Sequence, residues 1–180
     1  MHFSLRDMPK KKFIVWQEVV NMGIKLPKGV VAHIWTGNRS ELAKNLTSQG
    51  FYTILSECWY LDHISWDIDY QSYYKCDPQD FDGSDAQKRM VLGGEAAMWG
   101  EMVDATNAIQ RIFPRTSAVA EKLWSNGEFT KQDPEIIWPR LSEMQCRMVR
   151  RGYPAQPGYG PGYCEVEYEP NLPNWDQEKI

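Results

Sequence analysis

A chain of 180 residues with 42% hydrophobic and 24% charged residues has the balance of a protein that folds around its own core, which excludes intrinsic disorder as its basic state. The formal net charge of -4 supplies no basic field, so neither nucleic acid nor an anionic membrane surface is an expected partner. No apolar run approaches the roughly 20 residues that span a bilayer, and Phe13-Ile14-Val15-Trp16 behind Lys10-Lys11-Lys12 is too short for a signal-peptide core.

Four short apolar runs punctuate the chain. The first, Phe13 to Trp16, leads into Gln17-Glu18. The second, Val30 to Trp35, is entered through Pro27-Lys28-Gly29. A helix is predicted over 40–49, with Ser40 as its cap, Leu42 and Leu46 on one face and Gly50 closing it. The third run is Phe51 to Ser56 and the fourth Met90 to Glu95. Runs rich in Val, Ile and Leu without strict alternation suit parallel strands covered by helices on both faces, so the predicted class is α/β.

The aromatic and acidic stretch from Asp62 to Gln87 is too long for a simple connector, and such loops are often functional. A helix is predicted over 111–123, with Pro114 in its first turn and Ala118, Ala120, Leu123 and Trp124 turned inward. Arg115 and Glu121 are suited to an ion pair with each other. A further helix, about 134–151, carries Ile136, Ile137, Leu141, Met144, Met148 and Val149, and a Pro- and Gly-rich tail follows.

The four cysteines are too few for a disulfide scaffold and lack the close spacing of a zinc site, so neither a metal nor any other cofactor is expected. A bridge from Cys146 to Cys164 would pin the tail and, by loop closure, contribute on the order of 3 kcal/mol in an exported protein; Cys58 and Cys76 are expected to stay unpaired. Asn38-Arg39-Ser40 and Asn45-Leu46-Thr47 fit the glycosylation acceptor, which makes Asn38 and Asn45 candidates.

Eight Trp and nine Tyr are many for this length, and most belong to a large core. Four positions are different. Trp16 and Trp35 end the first two runs, Trp59-Tyr60-Leu61-Asp62 follows the third, and Trp99-Gly100-Glu101 follows the fourth, the places where parallel α/β folds gather functional groups.

Gly93-Gly94-Glu95-Ala96-Ala97-Met98-Trp99-Gly100-Glu101, with Val103-Asp104, Pro114-Arg115 and Ala120-Glu121-Lys122-Leu123-Trp124-Ser125, closely resembles glycoside hydrolase family 20, the lysosomal-type β-hexosaminidases; Trp16-Gln17-Glu18-Val19 and Trp59-Tyr60-Leu61 match in the same order. The resemblance implies a (β/α)8 barrel, of which residues 13–125 would be the second half, after a divergent lead over 1–12 and before a helix and tail over 126–180. It also implies hydrolysis of terminal β-linked N-acetylhexosamine from glycoconjugates, in a lysosomal or secreted enzyme that is a dimer. By motif, Trp16, Trp35 and Trp99 would box the acetamide methyl, Tyr60 would hold the acetamide oxygen, and Asp62 and Glu101 would bind sugar hydroxyls. Glu18 and Glu95 are expected to hold neighbouring side chains, and His63 to be a solvated loop residue.

One part of the family's machinery is missing. The acid Glu and its partner Asp form an Asp-Glu pair at the end of the fourth barrel strand, and no Asp-Glu dipeptide occurs in this sequence. The expectation is that residues 1–180 are part of a longer enzyme, with the pair upstream of Met1, and that this polypeptide alone is inactive. The alternative is a non-catalytic module that binds N-acetylhexosamine or regulates.

Overall fold

The computed structural model describes residues 11–63, 68–131, 133–158 and 164. Most of the lead over 1–12, and the tail beyond 158 apart from Cys164, therefore lie outside the described residues. In chain order the elements are β1 (Ile14–Trp16), α1 (Gln17–Asn21), β2 (Val31–Ile34), α2 (Arg39–Ser48), β3 (Tyr52–Leu55), α3 (Tyr70–Lys75), α4 (Asp85–Lys88), β4 (Val91–Gly94), α5 (Ala108–Ile112), α6 (Arg115–Trp124), α7 (Gly127–Thr130) and α8 (Pro134–Arg150). Among the described residues they form two compact units, the first falling within 11–60 and 76–97, the second made of those outside these two ranges.

All four strands belong to the first unit and form one parallel sheet in the order β1-β2-β3-β4, so each predicted run became a strand and each strand lies beside its neighbour in sequence. This is the arrangement of part of a (β/α)8 barrel. Pleating divides the residues between two faces. On one face Ala32, Ile34, Thr53 and Leu55 are almost wholly buried, and α2 packs on β2 and β3. On the other, the register aligns Ile14, Val31 and Tyr52 in one row and Trp16, His33, Ile54 and Gly93 in the next. Leu92 is the extra residue of a bulge, since Thr53 pairs with Val91 and Ile54 with Gly93.

The helix α2 begins one residue earlier than its pattern suggested. Asn38, not Ser40, is its cap and accepts from the Glu41 amide at 3.3 Å, while the Ser40 hydroxyl donates to the Asp80 carbonyl. Its inward face is Ala43, Leu46 and Thr47, and Gly50, at φ +87°, turns the chain into β3. The long stretch after β3 is not bare loop; it contains α3 and α4, the latter opened by a capping box between Ser84 and Gln87. Cys58 and Cys76 are joined by a disulfide, contrary to the expectation, because the chain between them leaves the first unit after Tyr60 and returns to it at Cys76.

In the second unit the helix predicted over 111–123 is broken. α5 ends at Ile112, the Phe113-Pro114 peptide is cis, and α6 starts afresh at Arg115. The restart also sets which residues face inward: Arg115, Ala118, Val119 and Lys122 are buried at helical spacing, whereas Ala120, Leu123 and Trp124 point outward. Arg115 and Glu121 do not pair with each other; Arg115 bonds Asp69, and Glu121 accepts from Arg140 at 3.0 Å and from the Tyr74 hydroxyl. Along α8, Ile137, Leu141 and Gln145 form the buried stripe, while Ile136 and Met144 are outside it. Cys146 and Cys164 form the expected disulfide, with Cα atoms 5.3 Å apart.

Candidate active site

The C-terminal ends of the strands bring Trp16, Trp35 and Tyr60 into one aromatic cluster. Trp16 is the last residue of β1 and pairs in register with His33 of β2, which puts the two side chains on the same face of the sheet. There it stacks on His33 of the adjacent strand, with ring centres 4.7 Å apart and planes 19° from parallel. Trp35, one residue past β2, meets Trp16 edge-on at 5.9 Å and 76°, and Tyr60 lies 6.5 Å from Trp35. Edge-on and offset contacts are the favoured geometries between ring quadrupoles. Tyr60 is held in place by a parallel bridge to Ala97, whose amide donates to the Trp59 carbonyl at 2.9 Å; Trp59 itself is fully buried beneath.

The first turn of α1 ties this end of the sheet together. The buried Gln17 donates through Nε2 to the Thr36 carbonyl at 2.8 Å and accepts from the Trp35 amide through Oε1 at 3.0 Å, so one amide group satisfies both sides of the chain beyond β2. Next to it, Glu18 Oε1 accepts from Trp35 Nε1 at 2.6 Å. Glu18 therefore holds a neighbouring side chain, as expected. So does Glu95, whose Oε1 lies 3.3 Å from His33 Nε2.

His33 is 6% exposed, and its Nε2 also lies 2.8 Å from the Ser56 hydroxyl. This is not a nucleophilic triad: carboxylate and serine share one ring nitrogen instead of flanking the ring, and Ser56 is fully buried. Burial pushes the His33 pKa below its usual 6.5, with Glu95 acting in the opposite direction. Because the unfolded chain takes up that proton at the ordinary pKa and the folded chain resists it, the stability that neutral His33 supports is complete above pH 6.5 and declines as the pH falls from there. Comparing the unfolding free energy of the natural chain with that of a His33→Gln chain between about pH 7 and about pH 5 should show the steeper decline in the natural chain. Equal slopes would contradict it.

Trp99, Glu101 and Asp62 belong to the second unit. Trp99 is 45% exposed and Glu101 is exposed, while Asp62 is half-buried and its Oδ1 has no hydrogen-bond partner among the described residues. His63 is exposed. Asn38 and Asn45, the glycosylation candidates, are both exposed on α2 or at its cap. Sequence reasoning missed His33, Ser56 and Gln17. The available signal was a lone histidine inside the otherwise apolar run from Val30 to Trp35.

Residues 4–127 match the family model for the glycosyl hydrolase family 20 catalytic domain. The chain belongs to this family. Among family 20 relatives, it is 46% identical over 175 residues to the β-hexosaminidase A of Caenorhabditis briggsae, covering 89% of this chain and 31% of that protein. It is 46% identical over 158 residues to the β-hexosaminidase subunit beta of Homo sapiens, covering 87% and 28%. The solved chitobiase of Flavobacterium johnsoniae superposes with a TM-score of 0.69 at 30% identity, over 79% of this chain and 22% of that one. An exo β-N-acetylglucosaminidase of Vibrio harveyi, solved with N-acetylglucosamine, shares the fold with a TM-score of 0.67 at 22% identity, over 82% and 25%. The chain thus spans about three-tenths of the length of the curated relatives it matches.

Proposed function

We propose that this chain supplies the N-acetylhexosamine pocket of a β-N-acetylhexosaminidase that removes terminal non-reducing N-acetylhexosamine from glycoconjugates. The observation that carries the reading is the cluster of Trp16, Trp35 and Tyr60 at the strand ends. Flat apolar ring faces suit the C–H face of a pyranose and the methyl of its acetamide, and a tyrosine hydroxyl suits the acetamide oxygen. Trp99 as a further wall, and Asp62 and Glu101 as acceptors for sugar hydroxyls, are assigned by motif alone.

In this family the substrate is its own nucleophile. The acetamide oxygen attacks the anomeric carbon as the glycosidic C–O bond breaks, a glutamic acid protonates the leaving oxygen, and water then opens the oxazolinium ion. An aromatic enclosure contributes by keeping the acetamide curled beneath the ring, in reach of the anomeric carbon. The acid and its aspartate partner are not in this sequence, which lacks an Asp-Glu dipeptide, and that favours binding without turnover for these 180 residues. Residues 13–125 are read as part of the catalytic barrel. The two disulfides fit an oxidising compartment, and with Asn38 and Asn45 they support a lysosomal or secreted location; a dimeric parent enzyme is the proposed assembly.

Tryptophan fluorescence titrated with N-acetylglucosamine tests the pocket. The natural chain should respond saturably, Trp35→Ala should weaken the response about tenfold or more, and glucose, which lacks the acetamide, should not reproduce it. An aryl β-N-acetylglucosaminide should not be turned over. Equal responses to the two sugars would remove the acetamide from the argument.

A further inference from the structure

Three consecutive residues across the junction of β1 and α1 address the end of β2: Trp16 stacks on His33, Gln17 bonds the backbone of Trp35 and Thr36, and Glu18 bonds the Trp35 indole. With the backbone of Trp35 clamped by Gln17, only the side-chain torsions remain to set the ring's direction. The indole has a single donor, Nε1–H, and Glu18 takes it in a short charge-assisted bond of 2.6 Å. We propose that Glu18 is a positioning residue, which fixes the edge-on angle between Trp35 and Trp16 before any ligand arrives. The value of that angle to a sugar rests on the function proposed above; the angle itself does not.

A ring free to rotate would have to be ordered by the ligand at an entropic cost, whereas a ring already held presents its face at no further cost. The bond to Glu18 meets that requirement from the side of the indole that carries no sugar-stacking surface, its edge. Oε2 of Glu18 is buried without a hydrogen-bond partner among the described residues, so the carboxylate's described bond is the one it makes to Trp35.

The test uses the full chain with ¹⁵N-labelled tryptophan, the Trp35 indole resonance being identified by its loss in Trp35→Phe. Glu18→Leu removes the acceptor at similar size, and Glu18→Gln keeps an acceptor oxygen without the charge. With helix content unchanged, Glu18→Leu should lower the Trp16–Trp35 exciton signal in circular dichroism by about half or more and speed solvent exchange of the Trp35 indole proton about tenfold, while Glu18→Gln retains both. An unchanged exciton signal and exchange rate in Glu18→Leu overturn the proposal. Should Glu18→Leu lose its helices, Glu18→Gln decides: exchanging a carboxylate for an amide acceptor must move the Trp35 indole resonance upfield, and a resonance that stays in place overturns the proposal. N-acetylglucosamine titration separates the two readings. A natural chain that does not bind the sugar defeats the proposed function, while the exciton signal and exchange still decide the role of Glu18.

Discussion

Arg115→Met is expected to destabilise the second unit by about 3 to 5 kcal/mol, the loss typical of breaking a buried ion pair by removing one partner. Arg115 is 4% exposed. Its Nη2 pairs with Asp69 and donates to the Tyr73 hydroxyl at 2.7 Å; its Nη1 donates to the carbonyls of Leu61 at 2.6 Å and Arg111 at 2.9 Å. Burial above all, against the opposing pull of the Arg115 charge, raises the Tyr73 pKa far above its usual range, so the hydroxyl stays neutral throughout. Methionine would fill much of the space but leave the Asp69 carboxylate without its cation, held only by the Tyr73 hydroxyl at 3.1 Å, and the Leu61 carbonyl without the Arg115 donor. Pairing it with Asp69→Leu should recover part of the loss, because an apolar pair costs less than half of an ionic one. The midpoint of denaturant unfolding reads both, and a single variant within about 1 kcal/mol of the natural chain would mean that this network does not hold the 61–75 segment.

Gly94→Ala is the second large effect, about 3 kcal/mol, from overpacking. A Cβ at residue 94 would lie 2.2 Å from Cζ3 of Trp59 and 2.4 Å from the Leu55 carbonyl oxygen. Neither neighbour can yield easily. Trp59 is fully buried, and the Leu55 oxygen accepts from the Glu95 amide at 2.9 Å, so retreat would open the ladder between β3 and β4. Tyr60 follows Trp59 directly, and its fluorescence environment should change along with the unfolding midpoint. Gly127→Ala, where a Cβ meets nothing within 4 Å, is the control and should be close to neutral or slightly stabilising. Equal midpoints for the two variants would show that the contact at Gly94 relaxes at no cost.

The strands were legible because a parallel strand buried on both faces must be a short continuous apolar run, and Val31 to Ile34 is the clearest case. Trp16, Trp35 and Tyr60 were legible for a related reason: a strand's end is visible in sequence, and polar or aromatic residues there stand out against the run before them. Long-range closure was not visible. Cys58 and Cys76 meet because the intervening chain leaves and returns, and nothing local encodes that return. Arg115 found Asp69 rather than Glu121 for the same reason. The break before α6 was hidden because a proline in the first turn of a helix is compatible with one continuous helix as well as with a new one. His33 was overlooked inside its apolar run, where only the neighbouring strands reveal Ser56 and Glu95 as its partners.

The cystine between Cys58 and Cys76 has a consequence for how damage to the molecule would present itself. A protease that severs any peptide bond from 59 to 75 yields two pieces that stay covalently attached. Such a nicked species keeps the mass of the intact chain, plus one water, on a non-reducing gel and separates into two bands once a thiol is added.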